Sequence, residues 1–238
     1  MSKKIVILNG SPRKNGNTAA LVKAFTQGAE SAGHTVTEFF LDRMDIHGCK
    51  GCGGGHNDQE CPCVQKDGMT SIYPAVKEAD VVVLASPLYY WTLSGQLRTA
   101  VDRLYALEEG EENLLRGNNR SGILLMAAAG SDFDDVLLYY NHLMEHLRWN
   151  NLGHVLAEGN WNPGDIEGKP ELQRAFDLGK KDVYKRQAPR RKHPLTVRTA
   201  AEYRCIEPPP SAPSAGQSRS CAPCPPFPGA LACGGCPR

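Results

Sequence analysis

No stretch of this sequence approaches the roughly 20 consecutive apolar residues of a membrane span, so a membrane-spanning protein is not expected. Charge of one sign is not in excess either. The chain carries 27 Lys and Arg against 26 Asp and Glu, a formal net charge of +1. The start, Met1-Ser2-Lys3-Lys4, runs straight into the four apolar residues Ile5–Leu8. That run is too short for a signal-peptide core, and a cytoplasmic chain is expected. In a reducing compartment its nine Cys are not expected to form structural disulfides. Both common nucleotide signatures are missing. A Walker A loop needs Gly-Lys-Ser/Thr where this chain has Asn15-Gly16-Asn17, and Gly10-Ser11-Pro12 breaks the G-x-G-x-x-G fingerprint.

The near-neutral total hides two unlike pieces. Residues 1–182 hold 18 basic and 24 acidic side chains, a net charge of −6, and the remainder holds 9 and 2, a net charge of +7. The acidic first piece argues against a nucleic-acid partner. Of the 17 prolines, 11 lie after Ala188, and Pro208-Pro209-Pro210 forbids both helix and central strand. We read a folded domain over 1–182 and a Pro-rich basic tail over 183–238. The tail is expected to be disordered or the product of an out-of-frame or fused reading. Cys221-x-x-Cys224 and Cys233-x-x-Cys236 have zinc-knuckle spacing, but they sit in this Pro-rich setting outside any fold.

What stands out is Asn9-Gly10-Ser11-Pro12-Arg13-Lys14-Asn15-Gly16-Asn17-Thr18. It follows the apolar strand Ile5–Leu8 and precedes a helix that runs to about Ser31. A strand, a small-residue loop and a helix N-terminus together bind phosphate, because backbone N–H groups converge there and the helix dipole adds partial positive charge. Ser11 and Thr18 add hydroxyls, Asn15 and Asn17 amides, and Arg13 a guanidinium. Further strands are expected at 34–41, 80–87, 121–128 and 154–159, with helices at 71–78, 94–107, 132–149 and 170–181. Five strands alternating with helices make a three-layer α/β domain. In such a sheet the ligand sits outside the C-terminal strand ends, so the loops 10–18, 87–95 and 128–132 should meet there.

These residues resemble the flavodoxin-like, NAD(P)H-dependent FMN reductase family, whose phosphate loop has the form G-S-P-R-x-x-G/S-N-T. The resemblance covers residues 3–182 and implies a five-stranded parallel sheet of order 2-1-3-4-5 with helices on both faces. It implies that Ser11, Arg13, Asn15, Asn17 and Thr18 hold the FMN phosphate. Ser86-Pro87-Leu88-Tyr89-Tyr90-Trp91 resembles the family's P-x-Y turn, which implies that Pro87, Leu88, Tyr89, Tyr90 and Trp91 lie along the flavin ring. Ala129 and Gly130 stand in the third loop, where the ring approaches the backbone. Arg98 sits where the family often has Lys, and Asp102-Arg103 matches a D-R pair on a helix that often forms a dimer contact.

Residues 46–69 form a Cys- and Gly-rich excursion, long for a connection within a domain. It resembles the family segment C-x-x-C-x-x-C … C-x-x-x-D-D-M, with which iron–sulfur members hold a 4Fe–4S cluster. Here Gly55 stands where the third Cys would be, and Cys61 precedes the matching Cys63 by two residues. Cys49, Cys52, Cys61 and Cys63 remain as four thiolates, the number that suits a cluster or tetrahedral zinc, but no metal is expected. A redox thiol pair and a plain rim loop are the other readings.

The resemblance implies an FMN-dependent oxidoreductase that takes electrons from NAD(P)H to a small acceptor such as a quinone, a nitro compound or free flavin. The family mechanism demands no obligatory acid or base from the protein. A homodimer or higher homo-oligomer is expected. The alternatives are an iron–sulfur flavoprotein electron carrier and a non-enzymatic flavin- or zinc-binding protein.

Overall fold

The computed structural model describes residues 2–55, 62–109, 112–117 and 119–181. The chain divides into a unit over Met1–Arg186 and another over Gln187–Arg238, and every described residue lies in the first. The expected tail from 183 and Cys61 lie outside the described residues.

Five parallel strands form one sheet, β1 (Lys4–Asn9), β2 (Thr35–Phe40), β3 (Val81–Pro87), β4 (Ser121–Ala127) and β5 (Asn150–Ala157). Their order is β2-β1-β3-β4-β5. Among the described residues, five α-helices flank it: α1 (Asn17–Ser31), α2 (Met69–Glu78), α3 (Gly95–Arg103), α4 (Asp134–Leu147) and α5 (Pro170–Lys180). Among the described residues no helix is long and apolar enough to cross a membrane.

Alternation along each strand divides the core. Ile5, Ile7, Val81, Val83, Ile123 and Leu125 face α1 and α5. Val6, Leu8, Val82, Leu84, Leu124 and Met126 face α2, α3 and α4. A strand covered on both faces has no solvent side, which is why β1, β3 and β4 read as unbroken apolar runs. The order changes direction between β1 and β3, so the chain leaving these strands runs on to helices on opposite faces, and the C-terminal strand ends at this switch point are where open α/β sheets bind ligands.

Three of the boundaries that differ from the sequence expectation have a visible cause. β5 begins at Asn150 rather than His154, because Asn150, Asn151 and Gly153 pair with β4 across a register shift between Gly122 and Ile123. No apolar alternation marks those residues. α4 stops at Leu147, where Arg148 takes φ +56, and Trp149 turns inward to donate its indole N–H to Leu115 O at 2.8 Å. α3 ends as an α-helix at Arg103 and continues to Leu107 as a 3-10 turn.

α1 and α5 meet backbone to backbone. A Cβ on Gly28 would lie 1.9 Å from Phe176 O, and one on Gly179 would lie 2.2 Å from Phe25 O. Only glycine permits that approach.

Candidate functional site

The loops leaving β1, β3 and β4 meet at the C-terminal edge of the sheet. Gly10 N–H donates to Ala85 O at 2.8 Å, and the Ser94 hydroxyl donates to Gly10 O at 2.7 Å. Leu88 N–H donates to Ala127 O at 3.1 Å. The Trp91 indole N–H donates to Asp132 Oδ2 at 2.9 Å and ties the second loop to the third. Gly10 sits so close to α3 that a Cβ there would lie 2.5 Å from both Leu97 Cβ and Ser94 Oγ.

The first loop is ordered from inside. Asn9 donates to Glu38 Oε1 at 2.8 Å and accepts the Ser11 N–H at 3.0 Å. The buried Ser11 hydroxyl sits 3.2 Å from both Arg13 N and Arg13 O. Gly16 is the N-cap of α1, no side chain caps the helix, and its first turn has no acidic residue. The leading N–H groups of α1 therefore face the loop without a side-chain acceptor, at the positive end of the helix dipole. Arg13, Lys14 and Asn15 are exposed along the rim, and Thr18 is buried beneath it. Asn17 differs from the rest. Its amide donates to Asn162 O at 2.8 Å and accepts Gly164 N–H at 3.0 Å. Its side chain thus clamps the β5–α5 loop to the start of α1.

The second loop is a two-residue hairpin. Tyr89 and Thr92 exchange backbone hydrogen bonds, each of 3.1 Å. Tyr90 (φ +46) and Trp91 (φ +59) occupy its centre. Positive φ at both central residues is the type I′ geometry, which Asn-Gly normally fills. Two aromatics held there store roughly 1–2 kcal/mol each. Tyr90 is 92 % exposed, Trp91 52 % and Tyr89 45 %, and the Tyr90 and Trp91 rings meet edge to face. Pro87 and Leu88 are half-buried beneath the hairpin. In the third loop, Gly130 has no neighbour within 4 Å of where a Cβ would stand. Ala129 accepts the Gly159 N–H at 3.1 Å, so this rim is anchored to the sheet but open above.

A second centre lies along the Cys-rich loop, and Arg103 organises it. Its side chain is 1 % exposed. It donates to His47 O at 2.8 Å, to Asp67 Oδ2 and Oδ1 at 2.5 and 3.2 Å, and to Cys63 Sγ at 3.3 Å. Arg103 therefore faces inward to this loop rather than outward from α3 as a dimer contact would. Burial by itself would raise the Asp67 carboxyl, but the Arg103 hydrogen bonds and the His47 and Met69 N–H groups hold it below the usual carboxylate range. Burial also works to raise the Cys63 thiol, and hydrogen bonds from Gln65 N–H, Tyr73 and Arg103 outweigh it and leave the thiol below its ordinary value. Cys49, Cys52 and Cys63 line one cavity of about 270 Å³. A second cavity, about 440 Å³, is lined by Val101, Leu104, Tyr139, Leu143 and Trp149 on the α3 and α4 side. Neither cavity lies over the phosphate-type loop, which is an open rim.

Several supporting residues escaped the sequence reading. Glu38 and Asn162 act across elements, and no local pattern marks them, while Asn9, Ser86 and Asp132 lie in stretches the sequence singled out without giving these side chains a role. Ser94 is the exception, since a Ser before the α3 run is an N-cap signature, and its Oγ accepts Leu97 N–H at 3.4 Å.

The family model for NADPH-dependent FMN reductase matches residues 3–163. An iron–sulfur flavoprotein of Archaeoglobus fulgidus is 33 % identical over 178 residues, which cover 75 % of this chain and 78 % of that protein. Among solved structures, an NAD(P)H:quinone oxidoreductase from Methanothermobacter marburgensis superposes with a TM-score of 0.56 at 17 % identity, covering 76 % of this chain and 96 % of that one. An azoreductase from Bacillus anthracis superposes with a TM-score of 0.58 at 19 % identity, covering 76 % and 100 %. At these identities the two structures speak for the fold.

Proposed function

Because this chain belongs to the NADPH-dependent FMN reductase family, and is thereby an FMN-binding, NAD(P)H-dependent oxidoreductase, we propose that it passes electrons to a small planar acceptor, a quinone, nitro compound or free flavin, at the rim formed by its three loops. One observation carries the reading. The uncapped start of α1, the exposed Arg13 and the aromatic hairpin all lie along the same edge of the sheet.

The residues present fit FMN. A phosphate needs N–H and O–H donors and positive charge, and the leading α1 amides, Ser11, Arg13, Asn15 and Thr18 supply them. Asn17 contributes its backbone N–H while its side chain holds the β5–α5 loop in place. A planar ring needs flat apolar surface on one side and close backbone on the other. Pro87 to Trp91 offer the first, and Ala129 and Gly130 the second. When bound, FMN supplies the two-electron chemistry between nicotinamide and acceptor. The protein binds the phosphate, orients the ring and excludes water from one face. Trp91, fixed by Asp132, sets how far the hairpin stands from the third loop. A homodimer that covers the exposed hairpin is part of the same reading, and sedimentation of the FMN-loaded chain as a monomer alone would refute that part.

The test is an anaerobic absorption spectrum of the full chain before and after NADPH, followed by addition of a quinone. Two flavin bands that bleach with NADPH and return with the quinone are expected. Ser11→Ala with Arg13→Ala should weaken FMN by about 2–4 kcal/mol, the sum of one neutral and one charge-assisted hydrogen bond. A colourless chain that binds no added FMN, or unchanged FMN affinity in the double variant, would overturn the assignment.

A further inference from the structure

The Cys-rich loop resembles a cluster-binding segment, and a relative carries an iron–sulfur name. The local geometry disagrees. The third cysteine of the pattern would stand at position 55. A Cβ built on Gly55 would lie 2.3 Å from Glu109 Oε2, 3.1 Å from Glu109 Cβ and 3.2 Å from Ala106 Cα. Gly55 N–H donates to that same carboxylate oxygen at 3.1 Å. The space that a cysteine side chain at position 55 would enter is thus taken by a hydrogen-bonded carboxylate and by the Ala106 backbone. A hard, anionic oxygen is a poor exchange for thiolate toward iron–sulfur clusters, which Cys holds.

The fourth position of the pattern is engaged as well. Cys63 Sγ sits 3.3 Å from the Arg103 guanidinium, which also grips His47 O and both oxygens of Asp67. A cluster would join the two ends of this loop by ligation, and the guanidinium joins them by hydrogen bonds. Among the described residues, no group of three or more His, Cys, Asp or Glu is placed to hold a metal ion.

We propose that in this chain Arg103 and Glu109 close the loop in place of an iron–sulfur cluster, leaving a thiol-lined cavity and no second electron-carrying centre there. The inference does not rest on the acceptor reading, since flavin bleaching and iron content are separate measurements.

The full chain and a Cys49→Ser/Cys52→Ser variant are incubated anaerobically with ferrous iron, sulfide and dithiothreitol, desalted, and assayed for iron and acid-labile sulfide per chain. Both cysteines are exposed, so the variant tests ligation rather than packing. Equal iron in the two proteins, whether none or some held elsewhere, supports the proposal. About four iron and four sulfide in the wild type that the variant lacks would overturn it. A Gly55→Cys/Glu109→Ala variant is expected to gain iron, sulfide and a broad brown absorbance beneath the flavin bands. If it stays as iron-free as the wild type, Glu109 is not what keeps the cluster out, and the proposal falls.

Discussion

Arg103→Met should loosen the whole Cys-rich loop, and the cost can be worked from its contacts. The Asp67 side chain is 3 % exposed. It accepts hydrogen bonds from Arg103 at 2.5 and 3.2 Å, from His47 N–H at 3.1 Å and from Met69 N–H at 3.0 Å. Met fills much of the same volume but leaves the carboxylate buried with two backbone donors and no countercharge. Breaking a buried pair from one side costs about 3–5 kcal/mol. At roughly 2–4 °C per kcal/mol for a unit of this size, the loss is roughly 6–20 °C in Tm. Adding Asp67→Asn removes the stranded charge while keeping an acceptor for Met69 N–H. The double variant should therefore recover about 1.5–3 kcal/mol, within the usual range of coupling between contacting residues. Urea unfolding followed by tryptophan fluorescence gives both numbers, and amide exchange over residues 44–69 shows whether the loss is local. An Arg103→Met cost under about 1 kcal/mol, or no recovery in the double variant, would refute the account of Arg103 as the clamp of this loop.

Gly179→Ala should destabilise the fold by about 1–3 kcal/mol, because a Cβ 2.2 Å from Phe25 O and 3.0 Å from Ala29 N must push α5 off α1. Helix propensity predicts the opposite sign, a gain of about 1 kcal/mol, so thermal unfolding separates the two. Acid should matter more than mild alkali. Burial tends to raise Asp80, but Lys4 N–H and the Lys3 ammonium, both at 2.9 Å, outweigh it and hold Asp80 low, as Arg103 holds Asp67. Carboxyls depressed in the folded state contribute stability that is complete above the unfolded value near 3.9 and is lost as pH falls through the folded ones. Burial also lowers His154, which adds a shallow loss below about pH 6.5. Unfolding free energies from pH 7 to 2 should fall most steeply below about pH 4. A steeper loss between pH 7 and 5 would contradict this.

The local features were legible from residue order. Apolar runs at Ile5–Leu8, Val81–Ala85 and Ile123–Ala127 mark strands buried on both faces, and Gly10–Thr18 marks a turn into a helix N-terminus. Each depends on neighbours within one element, where backbone sterics and side-chain period act. The edge strand was less legible. Only pairing with β4 makes Asn150–Gly153 extended, since an edge position tolerates polar residues and glycine that no periodicity identifies. The hairpin conceals itself differently, because Tyr90 and Trp91 are residues that backbone preference steers away from positive φ. They hold it through the Tyr89–Thr92 bonds and the Trp91–Asp132 bond across 41 positions. Arg103 and Asp67 stand 36 positions apart, and Gly55 meets Glu109 across 54. Gly28 and Gly179 meet only because α1 and α5 share one face of the sheet. Residue order carries periods and turns, because those energies are settled between near neighbours along the chain. Which buried charge finds its partner, and which glycine lets two backbones touch, follows from sheet order and helix packing, and these exist only once the layers have closed.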